Sequence, residues 1–157
     1  FFLAFPLIFL LIMLIAFFDI NHWHLIPILG LTSWMETARL VRAEVLSIKE
    51  RPYILAAKGL GFSHWRIMYH HIIPNCLGVV LVIAPLKVAE IVLLESALSF
   101  LGIGIQPPTP SWGNIINDGR HHLLNAWWIA TFPGLMITIT VMAFHKVSDR
   151  LKSSIHP

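Results

Sequence analysis

Cysteine is almost missing from these 157 residues, and Cys76 stands alone. No internal disulfide can form and no cysteine cluster can hold a metal, which excludes an oxidised secreted scaffold. Charge is also scarce. Asp, Glu, Lys and Arg make up 12% of the chain, against roughly 25% in soluble domains. The AVILMFWYC set reaches 57% without counting glycine, whereas an apolar class that includes glycine holds roughly 45–50% of a soluble chain. Mean hydropathy is +0.75. A disordered chain, a collagen-like chain and a coiled coil are excluded, and an ordinary soluble enzyme domain does not fit. The chain starts at Phe1, inside an apolar run. It lacks the basic flank and small-residue cleavage site of a signal peptide, so it reads as part of a longer protein.

What is present is a series of apolar runs. Phe1 to Phe18 carries no charge. Eighteen helical residues reach about 27 Å, close to the roughly 30 Å of bilayer hydrocarbon. Pro6 is tolerable there if neighbouring helices satisfy the freed backbone. Asp19 to His24 is a polar break holding Trp23. Leu25 to about Ser47 predicts a second helix, apolar to Met35 and then bearing Glu36, Arg39, Arg42 and Glu44. Glu36 and Arg39 are three apart and can pair on one face. Lys49 to Ile73 is the most polar stretch. Pro74 is suited to open a third span, which continues from Asn75 to about Leu98 and is apolar except for Lys87, Glu90 and Glu95. A loop at about 101–125 is rich in glycine, proline and tryptophan, and Ser111 is placed to cap a short helix running toward Leu124. Ala126 to about Phe144 predicts a fourth span, with Trp127 and Trp128 at its rim.

Charge orients this series. Arg39, Arg42, Lys49, Arg51, Lys58 and Arg66 flank one side of the spans, and Lys146, Arg150 and Lys152 follow the last one. Basic residues accumulate on the cytoplasmic side. The pattern therefore predicts an all-α integral membrane bundle, one domain over 1–157. Both chain ends and a loop at about 49–74 face the cytoplasm, and the 101–125 loop lies outside. The basic pI of 9.4 is explained by these membrane flanks, with no nucleic-acid partner required.

The loop from Tyr53 to Asn75 carries the most information. It reads as a short helix, a glycine stop and a second amphipathic helix. Ala56 and Ala57 favour helix, and Gly61 can supply the left-handed residue that ends it. Trp65, Ile67, Met68 and Ile72 can then face the membrane side. A small-residue helix turned sharply at a cytoplasmic surface could dock in a partner's groove. An interfacial helix without a partner explains the same pattern.

The segment resembles the coupling loop of ABC importer permeases, with Glu-Ala-Ala, three residues, a glycine and a Leu-Pro-type end. Ala56, Ala57, Gly61 and Ile73-Pro74 fall at matching places, while Leu55 replaces the acid and the usual isoleucine is displaced to Ile72. Four further blocks resemble the second permease subunit of dipeptide, oligopeptide and nickel importers. They are Ala38 to Arg42 followed by Glu44 to Ser47, then Leu94 to Gly104, then Gln106 to Gly113, then Phe132-Pro133-Gly134-Leu135. Where that family shows Phe-Asn and Gly-Asp near its end, this chain has Phe144-His145 and Ser148-Asp149. The resemblance implies a type I ABC importer permease bundle. Four of six spans are present here, and the first two would precede them. It also implies a bacterial inner-membrane location, a second permease subunit forming a heterodimer, two cytoplasmic ATP-binding subunits and an extracytoplasmic substrate-binding protein, with peptides as cargo. ATP-Mg would be bound by the partners and no cofactor by this chain. Tyr53, Leu55, Ala56, Ala57, Lys58, Gly59, Leu60, Gly61 and Pro74 would couple it to the ATPase. A bulky charge at Ala57 is then expected to uncouple transport while the helices stay inserted.

Lys87, Glu90 and Glu95 are ionisable groups inside a span, where such groups are expensive and face a cavity or a partner. Lys87 and Glu90 are three apart and can neutralise each other. With Ser96 and Ser99 they are candidates to line a translocation path. A structural ion pair accounts for the charges equally well, and serines in spans commonly bond backbone, as Thr138 also can. The histidine pairs His70-His71 and His121-His122, with His22 and His24, invite a metal reading. Adjacent helical residues diverge by about 100°, so no metal site is expected. The chain has no His-Glu-x-x-His, no Gly-x-Ser-x-Gly and no phosphate-cradling Gly-x-x-x-x-Gly-Lys-Ser/Thr, so no catalytic residue is expected. A channel, or another membrane protein outside the ABC class, is the competing reading.

Overall fold

The computed structural model describes residues 22–155 together with Phe9, Ile12, Met13 and Phe17. The span expected over 1–18 lies outside the described residues except for those four, which are helical. Among the described residues all regular structure is helical. The elements are α1 (His22–Lys49), α2 (Pro52–Gly59), α3 (His64–Ile67), a π-turn (Met68–Ile72), α4 (Ile73–Phe100), α5 (Trp112–Gly119), a 3-10 turn (Arg120–His122) and α6 (Trp128–Ile155). α4 is the central post. α1, α5 and α6 all pack on it, and α5 also packs on α6.

Among the described residues, two helical stretches are long and apolar enough to cross a bilayer, His64–Phe100 with 37 residues and Trp128–Ser154 with 27. The core helix of a soluble protein hides such a surface. Here only 6% and 11% of the most apolar windows are buried, so the apolar faces point outward, as lipid-facing helices require.

The helix of the third span starts ten residues before Pro74, at His64. Proline has no N–H for the carbonyl four residues back, and its ring crowds that carbonyl. The chain absorbs this by widening into the π-turn immediately upstream, where the Ile73 N–H bonds the Met68 carbonyl, five residues back. The Asn75 side-chain amide donates to the His71 carbonyl at 2.6 Å. Pro74 therefore marks a bulge inside one continuous helix, the usual setting of π-turns. Of the break expected over Asp19 to His24, His22 to His24 belong to α1, and the rest lies outside the described residues. α6 likewise runs past Phe144 to Ile155.

α2 and α4 end in the same way. Gly61 and Gly102 sit at φ +77° and +78°, and they are the only positive-φ positions among the described residues. After α2, the Phe62 N–H bonds the Ala57 carbonyl at 3.1 Å and the Gly61 N–H bonds the Lys58 carbonyl at 3.0 Å. After α4, Ile103 bonds Leu98 and Gly102 bonds Ser99, both at 3.0 Å. These are Schellman closures, which need a left-handed residue and so favour glycine.

Candidate functional site

The loop between α1 and α3 is held by a compact apolar cluster. Ile48 from α1, Ile54 and Ala57 from α2, Ile67 from α3 and Cys76 from α4 are buried together, with Val41, Val45 and Ile72 packed around them. Ile54 and Ala57 are three apart, so they share one helical face. The opposite face of α2 is open. Tyr53, Leu55, Ala56, Gly59 and Leu60 are all exposed, and Leu60 is 76% exposed, while the exposed Lys58 lies on the Ile54 side, at i+4. Exposed apolar side chains on a short helix pinned from behind make a presentable docking face.

This geometry corrects two expectations. Ala57 is only 6% exposed and packs inward, so it is a packing position of the loop and not part of its outer face. A bulky charge there would have no room beside Ile48 and Ile54, and its first effect would be to unseat α2. Ile67 likewise turns inward, at 3% exposure, because α3 closes over α2. Trp65 points the other way, stacked on Tyr69 with ring centroids 6.1 Å apart. Ser63 caps α3 by accepting from the Arg66 N–H at 3.4 Å, and the Arg66 guanidinium lies 4.7 Å from the Phe62 ring centre. Together these fix the turn that follows Gly61.

The second site lies between α1 and α4. The Lys87 ammonium donates to Glu90 at 2.6 Å, as the i,i+3 spacing allows, and also to Glu36 of α1. Glu36 thus pairs with Lys87 rather than with Arg39, its neighbour on α1. The Lys87 side chain is 18% exposed, while the two carboxylates are about half exposed. A partly buried ammonium bound to two accessible carboxylates ties the helices together and leaves acidic oxygens open. Glu36 was not apparent as a partner because it lies fifty-one residues from Lys87.

Farther along α4, Ser96 and Ser99 are buried, at 6% and 0% exposure. The Ser99 hydroxyl donates to the Glu95 carboxylate at 2.6 Å and accepts from the Ile105 N–H at 3.0 Å. Ser96 approaches the same carboxylate at 3.5 Å. The two serines sit in the joint between α4 and the 101–111 loop, and the open acidic oxygens are those of Glu36 and Glu90. Ser111 caps α5 as expected, accepting from the Asn114 N–H at 3.2 Å. Gly113 lets α5 lie directly against α4. A Cβ there would meet the Ser96 carbonyl and would stand 2.7 Å from the Ser99 Cβ. Gly119 does the same against α6, where a Cβ would stand 2.9 Å from the Ala130 nitrogen. Ser148 of α6 is buried and donates to the Val82 carbonyl of α4 at 2.8 Å, near Pro85. The histidine pairs form no cluster: no group of three or more potential metal ligands occurs among the described residues.

Residues 1–156 match the family model described as the inner membrane component of binding-protein-dependent transport systems. The chain belongs to this family. It is 39% identical over 154 residues to the oligopeptide transport system permease protein OppC of Salmonella typhimurium, covering 98% of this chain and 51% of that protein. It is 36% identical over 155 residues to the dipeptide transport system permease protein DppC of Alkalihalophilus pseudofirmus, covering 99% and 51%. The OppC protein of Haemophilus influenzae is 36% identical over 154 residues. The chain spans about half the length of the curated relatives it matches. Family membership accounts for the all-helical fold and the outward apolar faces.

Proposed function

We propose that this chain is part of a permease subunit of an ATP-driven peptide importer, and that the outer face of α2 transmits ATPase motion to the bundle. The relatives' names carry the cargo class, since both oligopeptide and dipeptide permeases match nearly the whole chain. One structural observation carries the mechanism. α2 shows an open face holding Leu55 and Leu60, while Ile54 and Ala57 lock its other face to α1, α3 and α4. A cytoplasmic ATP-binding subunit would seat on that open face. The full permease would pair with a second permease subunit, making a heterodimer served by two ATP-binding subunits and by an extracytoplasmic binding protein. This chain would bind no ATP itself. Both of its ends and the α2 loop would lie in the cytoplasm.

Such a loop works as a lever. Closure of the ATP-binding subunits moves α2, and the buried cluster carries the motion into α1 and α4 as a rigid-body shift. The Glu36–Lys87–Glu90 group, with Glu95 farther along α4, would line the path for a peptide. Its two open carboxylates suit the ammonium end of a peptide.

The test is co-purification of the full-length permease with its partner permease and ATP-binding subunits, comparing wild type, Leu60→Asp and Ala57→Arg. Leu60→Asp is expected to keep the wild-type melting temperature and lose at least tenfold in capture, about 1.4 kcal/mol of binding. Ala57→Arg is expected to lose both capture and thermal stability. Wild-type capture and peptide-driven ATP hydrolysis in Leu60→Asp and in Leu55→Asp would remove α2 as the docking helix.

A further inference from the structure

Behind the buried cluster a cleft of about 640 Å³ opens between the charged half of α1 and the stretch from α3 to α4. This lies within the roughly 300–1,000 Å³ of small-ligand sites. Its wall is apolar, with Val45 from α1 and Met68, Leu77 and Val80 from the long helix. Its rim is basic. Among the described residues, the charged or imidazole side chains lining it are Lys49, Lys58 and His64, with no acid. On α1, Glu44 is engaged by Arg51 at 3.5 Å.

The basic rim and the apolar wall are ordered along the helix axis. His64 stands at one end and Val80 at the other, sixteen residues apart, or about 24 Å of helix. Trp65 and Tyr69 project outward at the His64 end, 68% and 59% exposed. Aromatic residues of this kind sit at the headgroup level of a bilayer. The basic end of the cleft is therefore at headgroup depth, and the apolar wall descends from it into hydrocarbon. From this geometry we infer that the cleft holds an anionic phospholipid of the adjoining leaflet, its phosphate held by Lys49, Lys58 and His64 and an acyl chain laid along Val45, Leu77 and Val80. Basic pockets between helices at a membrane surface recognise anionic headgroups in this way. The lipid would lie against the back of the cluster that anchors α2, so its loss would loosen the lever from behind. The inference needs membrane insertion but not the peptide cargo.

Native mass spectrometry of the detergent-purified full-length permease complex tests it, titrated with phosphatidylglycerol or phosphatidylethanolamine. Phosphatidylglycerol is expected to be retained at least fivefold better. The Lys49→Gln, His64→Gln double variant should erase that preference. Leu77→Trp, at a half-exposed wall position, should fill the groove and lower retention of both lipids while leaving the melting temperature unchanged. Equal retention of the two lipids, or an unchanged preference in the double variant, would overturn the inference. Displacement of phosphatidylglycerol by inorganic phosphate alone would show a phosphate site, not a lipid site. A photo-crosslinker at Leu77 that traps a protein segment instead of lipid would assign the cleft to another part of the assembly. None of these readouts involves transport, so a failure here is separate from a failure of the importer reading.

Discussion

The loop after α2 and the loop after α4 open on the same glycine turn, yet they are fastened differently. Beyond Gly61 the chain is held by apolar side chains, Ile48, Ile54, Ala57, Ile67 and Cys76, drawn from four helices. Beyond Gly102, Ile103 also packs on buried Leu29 and Leu98, but close backbone contact and hydrogen bonds are added. Gly104 and Gly113 let backbone approach Ser96 and Ser99, and Ser99 joins Glu95 to the Ile105 N–H. Apolar packing is non-directional. A backbone-on-backbone joint tolerates almost no displacement, because close-packed interiors transmit strain. The two ends of α4 are thus seated differently, one on side-chain packing alone and the other also on close backbone contact.

The sharpest way to break this contrast is at Gly113. Gly113→Val places branched carbons where the Ser96 carbonyl, the Ser99 Cβ and the Phe100 nitrogen already stand. Backbone atoms cannot rotate aside, so the penalty should reach or exceed the upper end of the about 1–3 kcal/mol seen for overpacking. The expected outcome is little folded protein by size-exclusion chromatography of the detergent extract. A well-folded Gly113→Val protein would mean that α5 can lift off α4, and that the outer joint is as compliant as the inner one.

A smaller effect is expected at Ser99, which is fully buried. Ser99→Ala leaves the Ile105 N–H and one Glu95 oxygen without their partner. An orphaned buried polar group costs about 1–3 kcal/mol, and the melting temperature should fall accordingly. Ser148→Ala, which removes a single bond to the Val82 carbonyl, should cost about 1 kcal/mol. If the two variants were equal, the claim that hydrogen bonds reinforce the outer joint would fail.

The parts of this fold legible in the sequence are those decided within a few residues. Gly61 and Ser111 announce a left-handed stop and a helix cap by their own chemistry, and the structure uses them so. Apolar runs separated by charge mark out the long helices. Contacts decided across helices were not legible. Ala56 and Ala57 are chemically identical, and only the position of Ile48 and Ile67 determines that one faces in and the other out. Lys87 reads as the partner of Glu90, but its bond to Glu36 depends on how α1 crosses α4. Gly113 looks like a turn residue until α4 is seen beneath it. Pro74 reads as a helix start because its missing N–H suits one, while a π-turn upstream serves the chain as well and lets the helix run on.

The finest test of the comparison uses two glycines of one turn. Gly59 is the last residue of α2, and a Cβ added there meets nothing within 4 Å. Alanine favours helix over glycine by up to about 1 kcal/mol, so Gly59→Ala should raise the melting temperature slightly. Gly61 also has open space around it, but its φ of +77° is left-handed. An L side chain in that conformation costs about 1–2 kcal/mol, so Gly61→Ala should lower the melting temperature. Space is equal at the two sites, so the opposite signs isolate backbone conformation from packing. The same change at Gly102, which shares the conformation and the open space, should match Gly61→Ala if only the turn matters. A larger loss at Gly102 would mean that the rigid joint behind it cannot absorb the distortion that the apolar cluster behind Gly61 absorbs.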